Sequence, residues 1–154
     1  MKTIKSFTTT FLFTIIILFS SCKKDETKPV ETVSKAPTLT AKDWLLIASK
    51  GEALGVTIDL YDKMDACLKD NLTKYNTDKS ITAKSGSVKC FPSEPDSYLS
   101  GMWTLLENET KLRIIDFDTI DWKLITLNST TLKVTYSDNS GSTTQTITNT
   151  FSAQ

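Results

Sequence analysis

From Asp43 onward the chain predicts an all-β fold, an antiparallel barrel of about eight strands with one short helix near residues 62–70. Three observations carry this. Apolar and polar residues alternate at period two, most cleanly where Leu132, Val134 and Tyr136 interleave with Thr131, Lys133 and Thr135. Short polar connections interrupt the runs: Glu107-Asn-Glu-Thr, Asp118-Thr-Ile-Asp and Asn128-Ser-Thr. So many short strands in so few residues leave two open sheet edges, and closure into a barrel hides both.

The elements follow in order. Trp44–Ala48 reads as a first strand with Lys50-Gly51-Glu52 as its turn, and Val56–Ile58 as a second strand. Leu60, Met64, Cys67 and Leu68 then recur at helical spacing, with Asp62 and Asp65 near the start, where acids suit the helix dipole. Leu72–Tyr75 and Ile81–Lys84 flank Asn76-Thr-Asp-Lys as a hairpin. After a loop with Pro92 and Pro95 come Met102–Leu106, Leu112–Phe117, Trp122–Leu127 and Leu132–Tyr136, then Gln145–Phe151. Ile114-Ile115 breaks the alternation, which predicts a bulge or bend there.

The N-terminus carries an address. Lys2 and Lys5 precede the apolar run Phe11–Phe19, two serines follow, and then Cys22. A basic n-region, a short h-region and small residues are the anatomy of a secretory signal, and the run is too short to span a bilayer. The cysteine at the cleavage point resembles a bacterial lipobox. That resemblance implies lipidation of Cys22 by a diacylglycerol bearing palmitate-type chains, and anchoring in a membrane. The predicted organisation is a signal peptide at 1–21, a lipid-anchored flexible linker at 22–41 and the barrel at 42–154. The linker is rich in Thr, Lys, Glu and Pro and lacks aromatics, so its own burial cannot offset its ordering entropy. Lys24-Asp25-Glu26 beside Cys22 resembles the export signal of Bacteroidetes-type lipoproteins, which implies an outer-membrane location, on the cell surface in preference to the periplasmic face.

Removing residues 1–21 leaves 133 residues with 16 basic and 18 acidic side chains, a net charge of −2. With no basic cluster, the chain has no footing for nucleic acid. If Cys22 carries lipid, Cys67 and Cys90 remain, and an even remainder in an oxidising compartment reads as a disulfide. No CxxC spacing supports a redox pair. The chain has no histidine, so neither the usual zinc sets nor a Ser-His-Asp or Cys-His arrangement can form. Asp59, Asp62, Asp65 and Asp70 do not have the spacing of a calcium loop. These readings predict a non-enzyme with neither metal nor cofactor.

Trp44-Leu45, Cys67-Leu-Lys-Asp-Asn71, Lys89-Cys90, Ser100-Gly-Met-Trp103, Leu112-Arg-Ile114, Trp122–Leu127 and Thr130–Val134 together resemble the lipocalin-like domain of Bacteroidetes-type lipoproteins, over roughly residues 42–151. The resemblance implies an up-and-down barrel and carries no catalytic residues. Trp44, Trp103, Trp122 and Tyr136 are the candidate ligand-binding residues; filling a core is the alternative role for the tryptophans. Thr119, in Asp118-Thr-Ile, matches an O-glycosylation pattern. Two functions are consistent with these features. In one, a membrane-anchored carrier binds a small hydrophobic or amphipathic ligand. In the other, a filled barrel contacts a protein or glycan partner through its loops.

Overall fold

The computed structural model describes residues 33–154. The predicted signal peptide, Cys22, and Lys24, Asp25 and Glu26 lie outside the described residues. Nine strands are joined by turns and two longer loops: β1 (Asp43–Ala53), β2 (Val56–Asp59), β3 (Leu72–Tyr75), β4 (Ser80–Lys84), β5 (Ser97–Leu106), β6 (Lys111–Ile115), β7 (Thr119–Leu127), β8 (Thr131–Asp138) and β9 (Gln145–Ala153). Every pairing is antiparallel. From β3 to β9 each strand pairs with the next, and β1 lies between β3 and β9, closing a barrel of eight strands. The ninth strand, β2, is a flap on the far half of β1, pairing Lys50–Ala53 with Val56–Asp59.

The register determines which side chains face inward, because directly opposed residues share a face. Leu132 opposes Phe151, Val134 opposes Asn149 and Tyr136 opposes Ile147. Leu112 opposes both Leu105 and Trp122. The inward set contains the buried cluster of Trp44, Tyr75, Ile81, Trp103, Leu112, Leu132, Val134 and Phe151. It fills the end of the barrel where β1 begins, with Phe151 at its upper margin against Trp122.

That end carries a plug. Helix α1 (Ala36–Thr40), with proline in its first turn, buries Leu39 completely against the cluster. Trp44 Nε1 donates to the Leu39 carbonyl at 2.9 Å, and Lys74 Nζ donates to that of Thr40 at 2.8 Å. Just before the helix, Ser34 Oγ and the Lys35 amide donate to the Glu109 carboxylate, and these bonds hold it below the usual carboxylate range. The linker boundary at residue 41 therefore moves, since residues 34–41 belong to the packed body. Leu39, the one large apolar residue between Val33 and Trp44, gives the segment enough burial to order. The Glu107-Asn108-Glu109 turn that it clasps has positive φ at all three residues, a conformation that needs such external support.

Several local expectations shift. The first turn is not Lys50-Gly51-Glu52, which continues β1, but Leu54-Gly55, both at positive φ, as a two-residue hairpin requires. Gly51 instead faces inward. A Cβ there would meet Gln145 Oε1, Leu60 and Ile147 at 3.0–3.4 Å. No bulge occurs at Ile114-Ile115, whose pairing with β7 is continuous. Ile115 breaks the alternation because it faces out, opposite Met102 on the barrel wall. The register shifts fall instead at Ile47, Ser100 and Ile125. Gly101, at φ 148°, sits so close to β6 that a Cβ would lie 2.5 Å from the Ile115 carbonyl. The helix near 62–70 shrinks to α2 (Ala66–Lys69), with no buried residue. The apolar stripe splits because the Leu60 amide donates to the Ser49 carbonyl and its side chain approaches Gly51, while Leu68 stays exposed.

Candidate functional site

The predicted binding residues separate into two groups. Trp44, with 0% exposure, and Trp103, with 2%, belong to the filled end. Both indole N–H groups are satisfied there; Trp103 Nε1 donates to the Asn76 carbonyl at 3.0 Å. Trp103 also meets Tyr75 edge-on, with centroids 6.1 Å apart, and the Lys79 ammonium lies 3.9 Å from its ring. These contacts make Trp44 and Trp103 core residues. A surface crevice of about 360 Å³ lies between α1 and the β3–β4 turn, lined by Ala36, Pro37, Thr40, Thr77, Lys79 and Trp103. It is open to solvent and outside the barrel.

Trp122 and Tyr136 lie higher, toward the opposite end. There the β1–β2, β6–β7 and β8–β9 connections and the loops 60–71 and 85–96 converge. Trp122 stacks on Tyr136 at 5.9 Å and on Phe151 at 6.0 Å, with ring planes within 26° of parallel in both pairs. Burial, then the charge of Asp138, pushes the Tyr136 phenol above its ordinary value, while the Asn149 side chain reaches the same hydroxyl and opposes this. Two polar atoms in this layer are buried without a hydrogen-bond partner, the Trp122 Nε1 donor and the Asn149 Oδ1 acceptor. Buried polar groups are rarely left unpaired, and each such atom costs about 1–3 kcal/mol. Above them, half-exposed apolar side chains rise toward the opening: Ile120 opposite Ile114, and Ile58 opposite Gly51.

Sequence reasoning missed Asn149 and Phe151 as site residues. The signal was present, since Ile147, Asn149 and Phe151 occupy one parity of β9 and only the middle one is polar. An asparagine at an apolar position of a strand calls for a partner inside the barrel.

Cys67 and Cys90 form a disulfide with Cα atoms 5.1 Å apart, joining α2 to the 85–96 loop. The clasp is reinforced on both sides. Asp70 accepts from Ser87 Oγ at 2.9 Å and from the Val88 amide at 3.1 Å, and these bonds hold its carboxyl below the usual range. Glu94 accepts from the Cys90 amide and Ser85 Oγ, with the same effect. Gly86 is needed here, because a Cβ would overlap the Asp70 carboxylate at 2.0–2.3 Å.

Of the other acids of that region, the Asp59 carboxylate accepts from the Asp62 amide, and Asp65 stands at the N-cap position of α2 without a side-chain bond to the helix. Thr119 is exposed, but as the first residue of β7 rather than in a turn; the turn is Asp116–Asp118, closed by the Asp116 amide on the Asp118 carbonyl. No family model matches the chain, and no curated protein matches it in sequence.

Proposed function

We propose that the barrel binds one small amphipathic molecule in its open half, with the apolar part against Trp122, Tyr136 and Phe151. The observation that supports this reading is the pair of unpartnered buried atoms, Trp122 Nε1 and Asn149 Oδ1, inside an aromatic layer. Trp122 Nε1 offers a donor and Asn149 Oδ1 an acceptor to the polar groups of such a ligand. The filled end sets the depth, since Leu39, Trp44, Trp103 and Leu112 leave no room below that layer. Such a site buries part of a short ligand and is shallower than a through-barrel cavity. Lipocalin-like resemblance and lipidation of Cys22 fit this reading, with the barrel carried on a membrane anchor.

Native mass spectrometry of the chain purified from its source, with solvent extraction of what travels with it, is expected to show one defined added mass. Trp122→Ala should lose that mass, and Trp103→Phe should keep it. A bare chain that also leaves the neutral probe N-phenyl-1-naphthylamine dark overturns ligand binding. It would favour the second reading, an interaction module, for which Leu54 at 89% and Phe117 at 100% exposure provide apolar loop tips at the same end. The anchor has its own test. Cys22→Ala is expected to abolish metabolic labelling with a palmitate analogue, and labelling that persists in that variant rules out the lipoprotein assignment.

A further inference from the structure

The two ends of the barrel differ sharply in charge. The segments that crown the open end, residues 52–71, 85–96, 116–118 and 138–144, carry ten carboxylates against three lysines, an acidic surplus of seven. The segments at the plugged end, residues 33–43, 74–79 and 107–111, carry four carboxylates against five lysines, a basic surplus of one. A chain that is almost neutral overall therefore concentrates its negative charge at the end of the barrel away from the plug. A mouth lined by one sign of charge, with low-dielectric walls behind it, focuses the field and concentrates ions of the opposite sign.

Few of these acids are neutralised. Among the described residues, the salt bridges of the crown come down to one, Lys89 with Asp96. Asp116, Asp118 and Asp138 lie in two segments with no basic residue at all. Asp138 follows Tyr136 by two residues on β8 and so shares its face of the strand, where its charge adds to burial in raising the phenol. Asp138 also accepts from the Ser140 amide at 2.9 Å and from Gln145 Nε2 at 2.9 Å, so it is held in place at the rim.

We infer that the mouth selects a positively charged amphiphile, an alkyl or aryl amine whose apolar part reaches the Trp122–Tyr136–Phe151 stack while its ammonium stays among the rim carboxylates. The inference rests on the ligand-binding reading above and adds the sign of the ligand's charge. Three features act together. The aromatic faces attract a cation as well as apolar surface. Asn149 Oδ1 supplies a buried acceptor for an N–H donor. The crown steers cations in and repels anions of the same shape. A fatty acid or an alkyl sulfate would bring its charge into a ring of like charge without a paired cation.

The test titrates the full chain with three probes of equal chain length, each below its micellar concentration: dodecyltrimethylammonium, dodecyl sulfate and the uncharged dodecyl maltoside. Quenching of tryptophan fluorescence reports binding, and Trp122→Phe identifies the residue responsible. The cationic probe is expected to bind about ten-fold or more tightly than the anionic one at low ionic strength, and the ratio should shrink toward one as salt is raised. Asp118→Asn with Asp138→Asn should weaken the cationic probe several-fold and leave the uncharged one unchanged. Equal affinity for all three probes, or preference for the sulfate, overturns the charge inference while leaving ligand binding in place. Failure of all three to bind overturns both.

Discussion

Trp44→Ala is expected to lower the free energy of unfolding by about 3–5 kcal/mol, the range for deleting a large aromatic side chain from a packed core. Trp44 is fully buried beneath α1, and its indole N–H donates to the Leu39 carbonyl. Truncation therefore opens a cavity and leaves a buried carbonyl without its donor. Trp44→Phe separates the two effects, keeping most of the volume and losing the bond, and should cost about 1–3 kcal/mol. Urea unfolding followed by circular dichroism measures both. A loss below about 1 kcal/mol for the alanine variant would mean that α1 and Trp44 do not close the barrel end.

Reduction of Cys67–Cys90 should cost on the order of 3 kcal/mol, which is the chain-entropy value for a bridge spanning 23 residues. Neither cysteine is in the buried core; Cys90 is exposed. Replacing both with serine therefore removes little packing, and the loss reports the greater freedom of the unfolded chain. The urea midpoint of the parent should fall on adding reductant, to that of the Cys67→Ser, Cys90→Ser variant, which should not respond to reductant. A midpoint indifferent to reductant would contradict the bridge as a stabilising element. Local effects should concentrate in the two loops that the bridge joins, since Asp70 and Glu94 anchor those loops only when they lie together.

The local signals were strongest where one residue's pattern repeats its neighbour's. Leu132, Val134 and Tyr136 lie inward as their alternation requires, and β3 and β4 form the hairpin expected around Asn76–Lys79. The errors share a cause. Gly51 has the composition of a turn but lies mid-strand, because the Leu60 and Ile147 side chains crowd its inner face. Ile115 has the composition of a core residue but faces out beside Met102. The stripe from Leu60 to Leu68 has helical spacing, yet the Leu60 amide is claimed by Ser49 on another strand. In each case a long-range contact overrode a local preference that is only weakly favourable.

The candidate site divides along the same line. The sequence alone pointed to the strand-borne aromatics, to a Cys67–Cys90 pair provided Cys22 is used elsewhere, and to closure as the simplest way for strands of this number and spacing to hide their edges. Alternation is a property of neighbours, and a cysteine count needs no coordinates. Only the tertiary structure separated Trp44 and Trp103, whose N–H groups are satisfied within the plugged end, from Trp122, whose N–H is not. It alone brought Asn149 and Phe151 to Trp122 and Tyr136, and gathered acids from four separate segments around one opening. Those groupings depend on register across strands that are far apart in the chain, and register is set by the packing of the whole barrel.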